Sequence, residues 1–284
     1  MSTSSLNVAD TDSIRAIGDA IAPTWERRSA EIEKVATPVR EWMLRELRPR
    51  EGETVLELAA GVGETGFEAA RIVGDGGRLI TSDLSSGMLD GARRRGGELG
   101  LTNVDYRVFD AEHIELDDDS VDGVLCRFGY MLMADPAAAL AETRRVLRAG
   151  GRLALGVWGA PEQNPWLGIA GLVLAQRGHI PPPEPPPAPG PFSLADPRRL
   201  EAMLSEAGFA DVRSEEVSSR FEVSSADDYL GLIADTAGPV ALVLRALPEP
   251  DRAEVRADVE DALRRFATAE GYALPALALC AVAS

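Results

Sequence analysis

The stretch Val55-Leu56-Glu57-Leu58-Ala59-Ala60-Gly61-Val62-Gly63-Glu64-Thr65-Gly66 decides how the rest of the chain is read. Its opening run of β-branched and aliphatic residues has the pattern of a strand buried on both faces of a parallel sheet. The run stops at small residues and glycines. From Glu64 onward the apolar positions take helical spacing, with Phe67, Ala70 and Val73 on one side. Strand, glycine-rich turn and helix in that order gather backbone N–H groups and a helix N-terminus at one place, where a ligand can meet them. Glu57 is the anomaly. A carboxylate near the carboxyl end of a buried strand is costly unless a partner meets it, and a ligand is the expected partner.

Working outward, strand and helix alternate. Gly76-Gly77 leads into a second strand, Arg78–Ser82, which ends in Asp83. Ser85 or Ser86 can cap a helix carrying Met88, Leu89, Ala92 and Leu99. Asn103–Val108 and Val121–Cys126 read as the third and fourth strands. Pro136 opens a helix that continues through Ala137–Leu147, with Arg144, Arg145 and Arg148 near its negative end. Gly150-Gly151 closes it and Arg152–Trp158 is the fifth strand. Repeated units of this kind predict an α/β fold of parallel strands joined by right-handed crossovers, with ligands at the strands' carboxyl ends.

The flanks are less regular. Residues Met1 to about Asp10 are expected to be loose. In Arg27–Leu47 the residues Ile32, Val35, Val39, Trp42, Met43 and Leu47 sit near helical spacing, and Pro38 is expected to kink or divide that helix. After Trp158 the prolines Pro161 and Pro165 and the run Pro181–Pro187 bracket an apolar helix, Trp166–Ala175, and the run itself reads as an extended surface loop. A helix, Asp196–Ala207, and a strand, Ala210–Val223, follow. Three further helices (Ala226–Ile233, Pro239–Ala246 and Asp251–Ala267) precede a closing strand, Leu274–Ala283, whose Pro275 suits a strand end or an edge. The expected division is a helical lid segment over 1–50, a core over 51–158, a proline-rich lid insertion over 159–195, and the rest of the sheet over 196–284, with a helical insertion at about 224–268.

Composition narrows the partners. Asp and Glu number 46 against 29 Lys and Arg, a formal net charge of -17, which repels phosphate backbones and anionic lipid surfaces. Neither nucleic acid nor a membrane is the expected partner. Cys126 and Cys280 lie in apolar runs and read as buried reduced thiols. With no CxxC pair and 2 His, no metal site is expected. The polar start lacks a signal-peptide pattern and no apolar stretch reaches spanning length, so the expected location is cytoplasmic.

Gly61-Val62-Gly63-Glu64-Thr65-Gly66 fits the G-x-G-x-x-G pattern, and Asp83 lies at the spacing of a ribose-binding acid. A nicotinamide or flavin domain and a nucleoside-binding methyltransferase therefore compete. Three other stretches favour the second. Glu57 would repel a pyrophosphate but welcome an ammonium or sulfonium group. Phe109-Asp110-Ala111-Glu112 puts a carboxylate after the third strand, where it can accept a hydrogen bond from an adenine amino group. Ser120-Val121-Asp122-Gly123-Val124, with Leu147-Arg148-Ala149-Gly150-Gly151-Arg152-Leu153 beyond the next helix, completes the set.

From about Thr54 to Trp158 these stretches resemble the class I S-adenosylmethionine-dependent methyltransferases, especially the small-molecule group that includes the ubiquinone and menaquinone C-methyltransferases. The resemblance implies a Rossmann-like doubly wound sheet of seven strands, the last antiparallel, with a helical lid, and S-adenosylmethionine as cofactor. By position it implies that Glu57, Ala59, Gly61 and Gly63 shape the pocket for the methionine portion. Asp83 would bind the ribose hydroxyls and Met88 would pack on the adenine. Asp110 and Ala111 would meet the adenine amino group and ring nitrogen, and Arg127 would lie near the methionine end and the reacting methyl. The family often has glycine where this chain has Ala59 and cysteine where it has Ala60.

The acceptor is expected under the lid. Trp25, Tyr130, Met131, Met133, Trp158 and Trp166 would give an apolar, aromatic pocket for a small hydrophobic molecule such as a quinone, polyketide, terpenoid or aromatic metabolite. His179, in the proline-flanked segment, is the one candidate base, while His113 reads as a surface residue and Asp122 as structural. Two readings stay open beside methyl transfer: the same pocket used for cyclisation or rearrangement, and a ligand-binding protein without turnover. A nicotinamide oxidoreductase is disfavoured by Glu57 and by the lack of a Tyr-x-x-x-Lys pair.

Overall fold

The computed structural model describes residues 10–182 and 188–284. The expectations of a loose N-terminus and of an extended Pro181–Pro187 loop fall largely outside these residues. The chain runs α1 (Thr11–Leu47), β1 (Thr54–Leu58), α2 (Glu64–Val73), β2 (Arg78–Asp83), α3 (Ser86–Glu98), β3 (Val104–Val108), β4 (Val121–Arg127), α4 (Pro136–Val146), β5 (Leu147–Trp158), α5 (Pro165–Gln176), α6 (Pro197–Glu206), β6 (Arg213–Val223), α7 (Ala226–Thr236), α8 (Gly238–Ala246), α9 (Glu249–Leu263), β7 (Ala267–Thr268) and β8 (Gly271–Ala283).

The strands form one sheet in the order β3-β2-β1-β4-β5-β8-β6, with the two-residue β7 paired to β8 at the side. Strands β1 to β5 pair in parallel, and β8 enters antiparallel between β5 and β6. The expected doubly wound sheet with an antiparallel last strand is present. Its expected count of seven becomes eight only through the short β7. From β1 the chain winds outward to β3 on one side and from β4 outward on the other. The crevice between β1 and β4 is therefore the switch point, where open α/β sheets hold ligands.

Local chemistry fixes the central strands. Val55, Leu56 and Leu58 are fully buried, as a strand covered on both faces requires. Asp122 anchors the start of β1: its carboxylate accepts the Thr54 N–H at 2.8 Å and pairs with Arg148 at 2.6 Å. Cys126 and Cys280 are buried free thiols, and burial pushes each up to about 12, so neither is a thiolate at neutral pH.

Helix α1 departs from expectation. It begins at Thr11, capped by Asp10, whose side chain accepts the Ser13 N–H at 2.9 Å, and it runs unbroken for 37 residues through both Pro23 and Pro38. Each proline removes a helical hydrogen bond. Packing on both halves keeps the helix whole. Val35, Val39, Trp42, Met43 and Leu47 are buried against the sheet, while Ile21 and Ala22 are buried with Val62, Met88 and Ala241. At ~1.5 Å per residue the helix is long enough to reach from the sheet face to the strands' carboxyl ends. Helices α7 and α8 are tied to its first half: the Thr24 hydroxyl donates to the Asp235 carbonyl at 2.7 Å and Arg28 pairs with the Asp235 carboxylate at 3.1 Å. Among the described residues no single helix is long and apolar enough to cross a membrane, and the apolar pair α7–α8 is bent by 118°.

Candidate active site

The turn after β1 is built from alternating left-handed residues: Ala59 has φ 50°, Gly61 55° and Gly63 86°. At Gly63 a side chain is impossible on two counts, because a Cβ would also lie 2.4 Å from the Phe67 ring. Ala59 has no such freedom, and a left-handed L-residue costs ~1–2 kcal/mol. This accounts for the glycine usual there in the resembled family. Phe128, just past β4, is also left-handed with φ 62°. Two strained residues thus flank the switch point, a placement typical of functional sites. Their strand ends touch: a Cβ on Gly129 would lie 2.6 Å from Ala59 Cβ and 2.7 Å from Cys126 Sγ.

Glu57 does not wait for a ligand. Its carboxylate is buried at 3% exposure, accepting the Gly66 N–H at 2.7 Å and the Thr81 hydroxyl at 2.8 Å. The charge that looked misplaced in β1 instead ties the first turn of α2 to β2, and this corrects the expectation of direct ligand contact. Burial pushes the carboxyl up to about 7, against the two hydrogen bonds and the Arg127 charge, which pull it down. The folded group therefore keeps its proton above the ordinary 4.5, while the unfolded chain has already lost its own. Stability from this site is fully present below 4.5 and falls as pH rises to about 7. Urea unfolding of wild type and Glu57→Gln should show the wild type losing on the order of 3 kcal/mol relative to the variant across that window. A pH-independent difference would count against the buried acid.

Asp83, at the end of β2, accepts the Gly61 N–H at 2.8 Å through one oxygen and the Ser85 N–H at 2.9 Å through the other. It joins the glycine turn to the start of α3. Burial, and more weakly the nearby Asp19 carboxylate, raise it above the ordinary carboxylate range.

A mixed charge cluster lies at the end of β4, where α1, α2 and α3 meet it. Arg127 pairs with Glu33 of α1, which also holds Arg40 at 2.5 Å. Glu64, the first residue of α2, pairs with Arg95 of α3 at 2.5 Å, and Arg95 donates to the Ser29 hydroxyl at 3.0 Å. Burial and the neighbouring Glu33 charge push Glu64 upward. Glu33 Oε1 and Glu64 Oε1 are met by the Arg127 and Arg95 guanidiniums, while three buried polar atoms here, Thr65 Oγ1, Arg95 Nε and Arg127 Nη1, have no partner among the described residues. Buried polar groups are almost always satisfied. Three unmet groups side by side are ones that a polar ligand can satisfy.

Apart from Asp19, Ser29, Glu33 and Arg40 of α1, this geometry sits inside residues 56–155, which match the family model described as "Methyltransferase domain". The segment is similar to a methyltransferase domain. Among curated relatives, the "Ubiquinone/menaquinone biosynthesis C-methyltransferase UbiE" of Haemophilus ducreyi is 38% identical over 105 residues, covering 37% of this chain and 40% of the relative. The "Demethylmenaquinone methyltransferase" of Clavibacter sepedonicus is 37% identical over 117 residues, covering 41% and 46%. The chain therefore spans less than half the length of these relatives. Among solved structures, the YcgJ protein of Bacillus subtilis matches with a TM-score of 0.58 at 19% identity, covering 86% of this chain and 96% of that one. The "[4+2]-Cyclase SpnF" matches with a TM-score of 0.56 at 16% identity, covering 94% and 96%. These two likenesses are likenesses of fold.

The remaining expected residues separate. Met88 is buried against Val62, beneath Ile21 and Ala22 of α1. Asp110 turns one oxygen onto the Glu112 N–H at 2.9 Å, and both it and Ala111 stay half-buried at the end of β3. The acceptor pocket needs correction. Tyr130 is core: its hydroxyl meets Thr143 Oγ1 at 2.7 Å beneath α4, fully buried. Met131 is likewise structural, its sulfur accepting the Trp158 N–H at 3.4 Å and its carbonyl the Ser193 hydroxyl at 2.7 Å. Trp25 stands over the glycine turn, its Nε1 3.7 Å from where a Gly61 Cβ would be, on the cofactor side of the crevice. Trp158 and Trp166 do come together, in a ladder with ring centroids 3.8 Å from Phe128 to Trp158, 5.1 Å to Trp166 and 4.0 Å on to Phe221. His179 follows the far end of α5, its N–H bonded to the Leu174 carbonyl, roughly 18 Å of helix from Trp166. Among the described residues no side-chain bond links it to the site.

The residues that sequence reasoning missed are Asp19, Ser29, Glu33, Glu64 and Arg95. Part of the signal was available. Ile14, Ile17, Ile21 and Trp25 recur at helical spacing behind the Asp10 cap, and Pro23 hid a helix that continues through it.

Proposed function

We propose that this chain is an S-adenosylmethionine-dependent methyltransferase acting on a small, largely apolar acceptor. The observation that carries the reading is the set of three unmet buried polar groups, Arg127 Nη1 at the end of β4, Thr65 Oγ1 in the first turn of α2 and Arg95 Nε on α3. An amino-acid zwitterion needs both charge signs met in one place, and Arg127 and Arg95 stand there beside Glu33 and Glu64. The rest of the cofactor suits the neighbouring surfaces: Met88 and Val62 are apolar platforms for a base, and Asp83 is the acid for ribose hydroxyls. The left-handed turn at Ala59, Gly61 and Gly63 keeps side chains out of the space between them.

When bound, the cofactor supplies a sulfonium-activated methyl carbon, so the chain's own task is positioning and water exclusion. Phe128 and Trp158 offer a stacked aromatic wall beside Arg127, which suits a flat apolar acceptor. An acceptor that reacts without losing a proton would need no base from the protein.

Isothermal titration with S-adenosylmethionine, S-adenosylhomocysteine and NAD tests the reading. Both adenosyl ligands should bind and NAD should not. Binding of NAD alone would overturn it.

A further inference from the structure

The sheet has two outer edges, β3 and β6, and they are built differently. β6 carries Glu215, Glu216 and Glu222 along its length, and charge of one sign is the usual device against pairing with a second strand. β3 is short and reads Val104-Asp105-Tyr106-Arg107-Val108. Its inner side bonds to β2: the Leu79 N–H donates to the Asn103 carbonyl at 2.9 Å, and Leu79 and Asp83 stand in register with Val104 and Val108. In a parallel ladder that pattern commits the backbone groups of Asp105 and Arg107 to β2 and turns those of Val104, Tyr106 and Val108 outward. Among the described residues no backbone group bonds to the outward ones. The apolar side chains here are open too. Val108 is 53% exposed, and Leu99, at the turn that leads into the strand, is 44% exposed.

We infer that β3 is the interface through which two copies of this chain form a symmetric dimer, their sheets joined antiparallel about a two-fold axis at Tyr106. The dimer goes beyond the proposed function and does not depend on it. The strand is self-complementary in one register. An antiparallel partner has to match outward residues with outward residues, so the symmetric registers that keep most of the strand paired are centred on Asp105, Tyr106 or Arg107. Centring on Asp105 or on Arg107 would set that charge against its own copy. Centring on Tyr106 matches all 5 residues: Val104 faces Val108 of the partner and Asp105 faces Arg107, each twice by symmetry. About six backbone hydrogen bonds result, and the Asp–Arg pairs fall at the narrow positions, ~4.5 Å between Cα atoms, where side chains come closest. Both groups have capacity left. The internal pair runs from Arg107 Nε and Nη2 onto one Asp105 oxygen at 2.9 and 2.8 Å, and among the described residues no bond takes Asp105 Oδ1 or Arg107 Nη1. Val108, exposed in the single chain, then meets Val104 of the partner beside the turn that holds Leu99.

Charge exchange tests this. Asp105→Arg and Arg107→Asp each put like charges opposite one another on both sides of the axis, so each should raise the dimer dissociation constant at least about tenfold. An equimolar mixture of the two variants restores opposite charges at both places, and only across the interface, so it should dimerise as wild type does. Each chain in that mixture still has like charges at 105 and 107, so recovery cannot come from repair of the internal pair. Val108→Pro removes an outward N–H without touching the bonds to β2 and should weaken the dimer as well. Sedimentation velocity at tens of micromolar reads the association, and far-UV circular dichroism checks that each variant is folded. A wild type that stays monomeric would overturn the interface. So would a dimer that the variants leave intact, or a mixture of the two that remains monomeric.

Discussion

Gly66→Ala should destabilise the protein by about 3–5 kcal/mol, lowering the thermal midpoint by roughly 10 °C. A Cβ at that position would lie 2.2 Å from Glu57 Oε2, 2.7 Å from Glu57 Cδ and 3.0 Å from Leu79 Cδ2. The carboxylate has no free direction in which to retreat, because it sits in the middle of the sheet and is held by the Gly66 N–H and the Thr81 hydroxyl. Relieving the overlap means breaking both bonds and leaving a buried acid without partners, which adds ~1–3 kcal/mol per unmet group to the overpacking cost. Because clash and bonds involve the same pair, the effects should not add. Glu57→Ala removes the obstacle, so the double variant should be less destabilised than the two single losses combined. Additive losses would show that Gly66 is constrained by something other than Glu57.

That pair also shows how far the sequence can be read. The strand Thr54–Leu58 and the helix Glu64–Val73 are legible to the residue, because apolar run, glycine turn and helical spacing all act within a dozen positions. The doubly wound order follows from alternation for the same reason. A charge inside an apolar strand is equally visible. What satisfies it is not, since Thr81 lies 24 positions away and only the sheet brings it alongside. The charge cluster is hidden in the same way: Glu33 and Arg127 meet because α1 stays one helix through Pro23 and Pro38. Local rules predict a break at a proline, and tertiary packing overrode them here. Tyr130 shows the opposite failure. It has the aromatic, partly polar character of a pocket residue, but its hydroxyl already has Thr143 as partner, so the same residue type serves the core.

The second large effect is expected at Asp83. Asp83→Ala should weaken S-adenosylhomocysteine binding by about two orders of magnitude, since each charge-assisted hydrogen bond lost is worth ~1.5–3 kcal/mol. The carboxylate stands at the junction of the glycine turn and α3, holding the Gly61 and Ser85 N–H groups while keeping further acceptor capacity for ribose hydroxyls. Asp83→Asn keeps the shape and one acceptor oxygen but sets its amide NH2 against one of the two N–H groups, so it should cost some stability and lose less affinity than Asp83→Ala. The charge adds a second signature. Burial, and more weakly the Asp19 carboxylate, raise this group above its ordinary value. Ribose hydroxyls donating to the charged form would lower it again, and binding would then release a proton. Affinity should therefore fall as pH drops toward the carboxylate range in wild type, and stay flatter in Asp83→Asn. Calorimetry in two buffers of different ionisation enthalpy reads that proton directly. An unchanged dissociation constant in Asp83→Ala would place the ribose elsewhere.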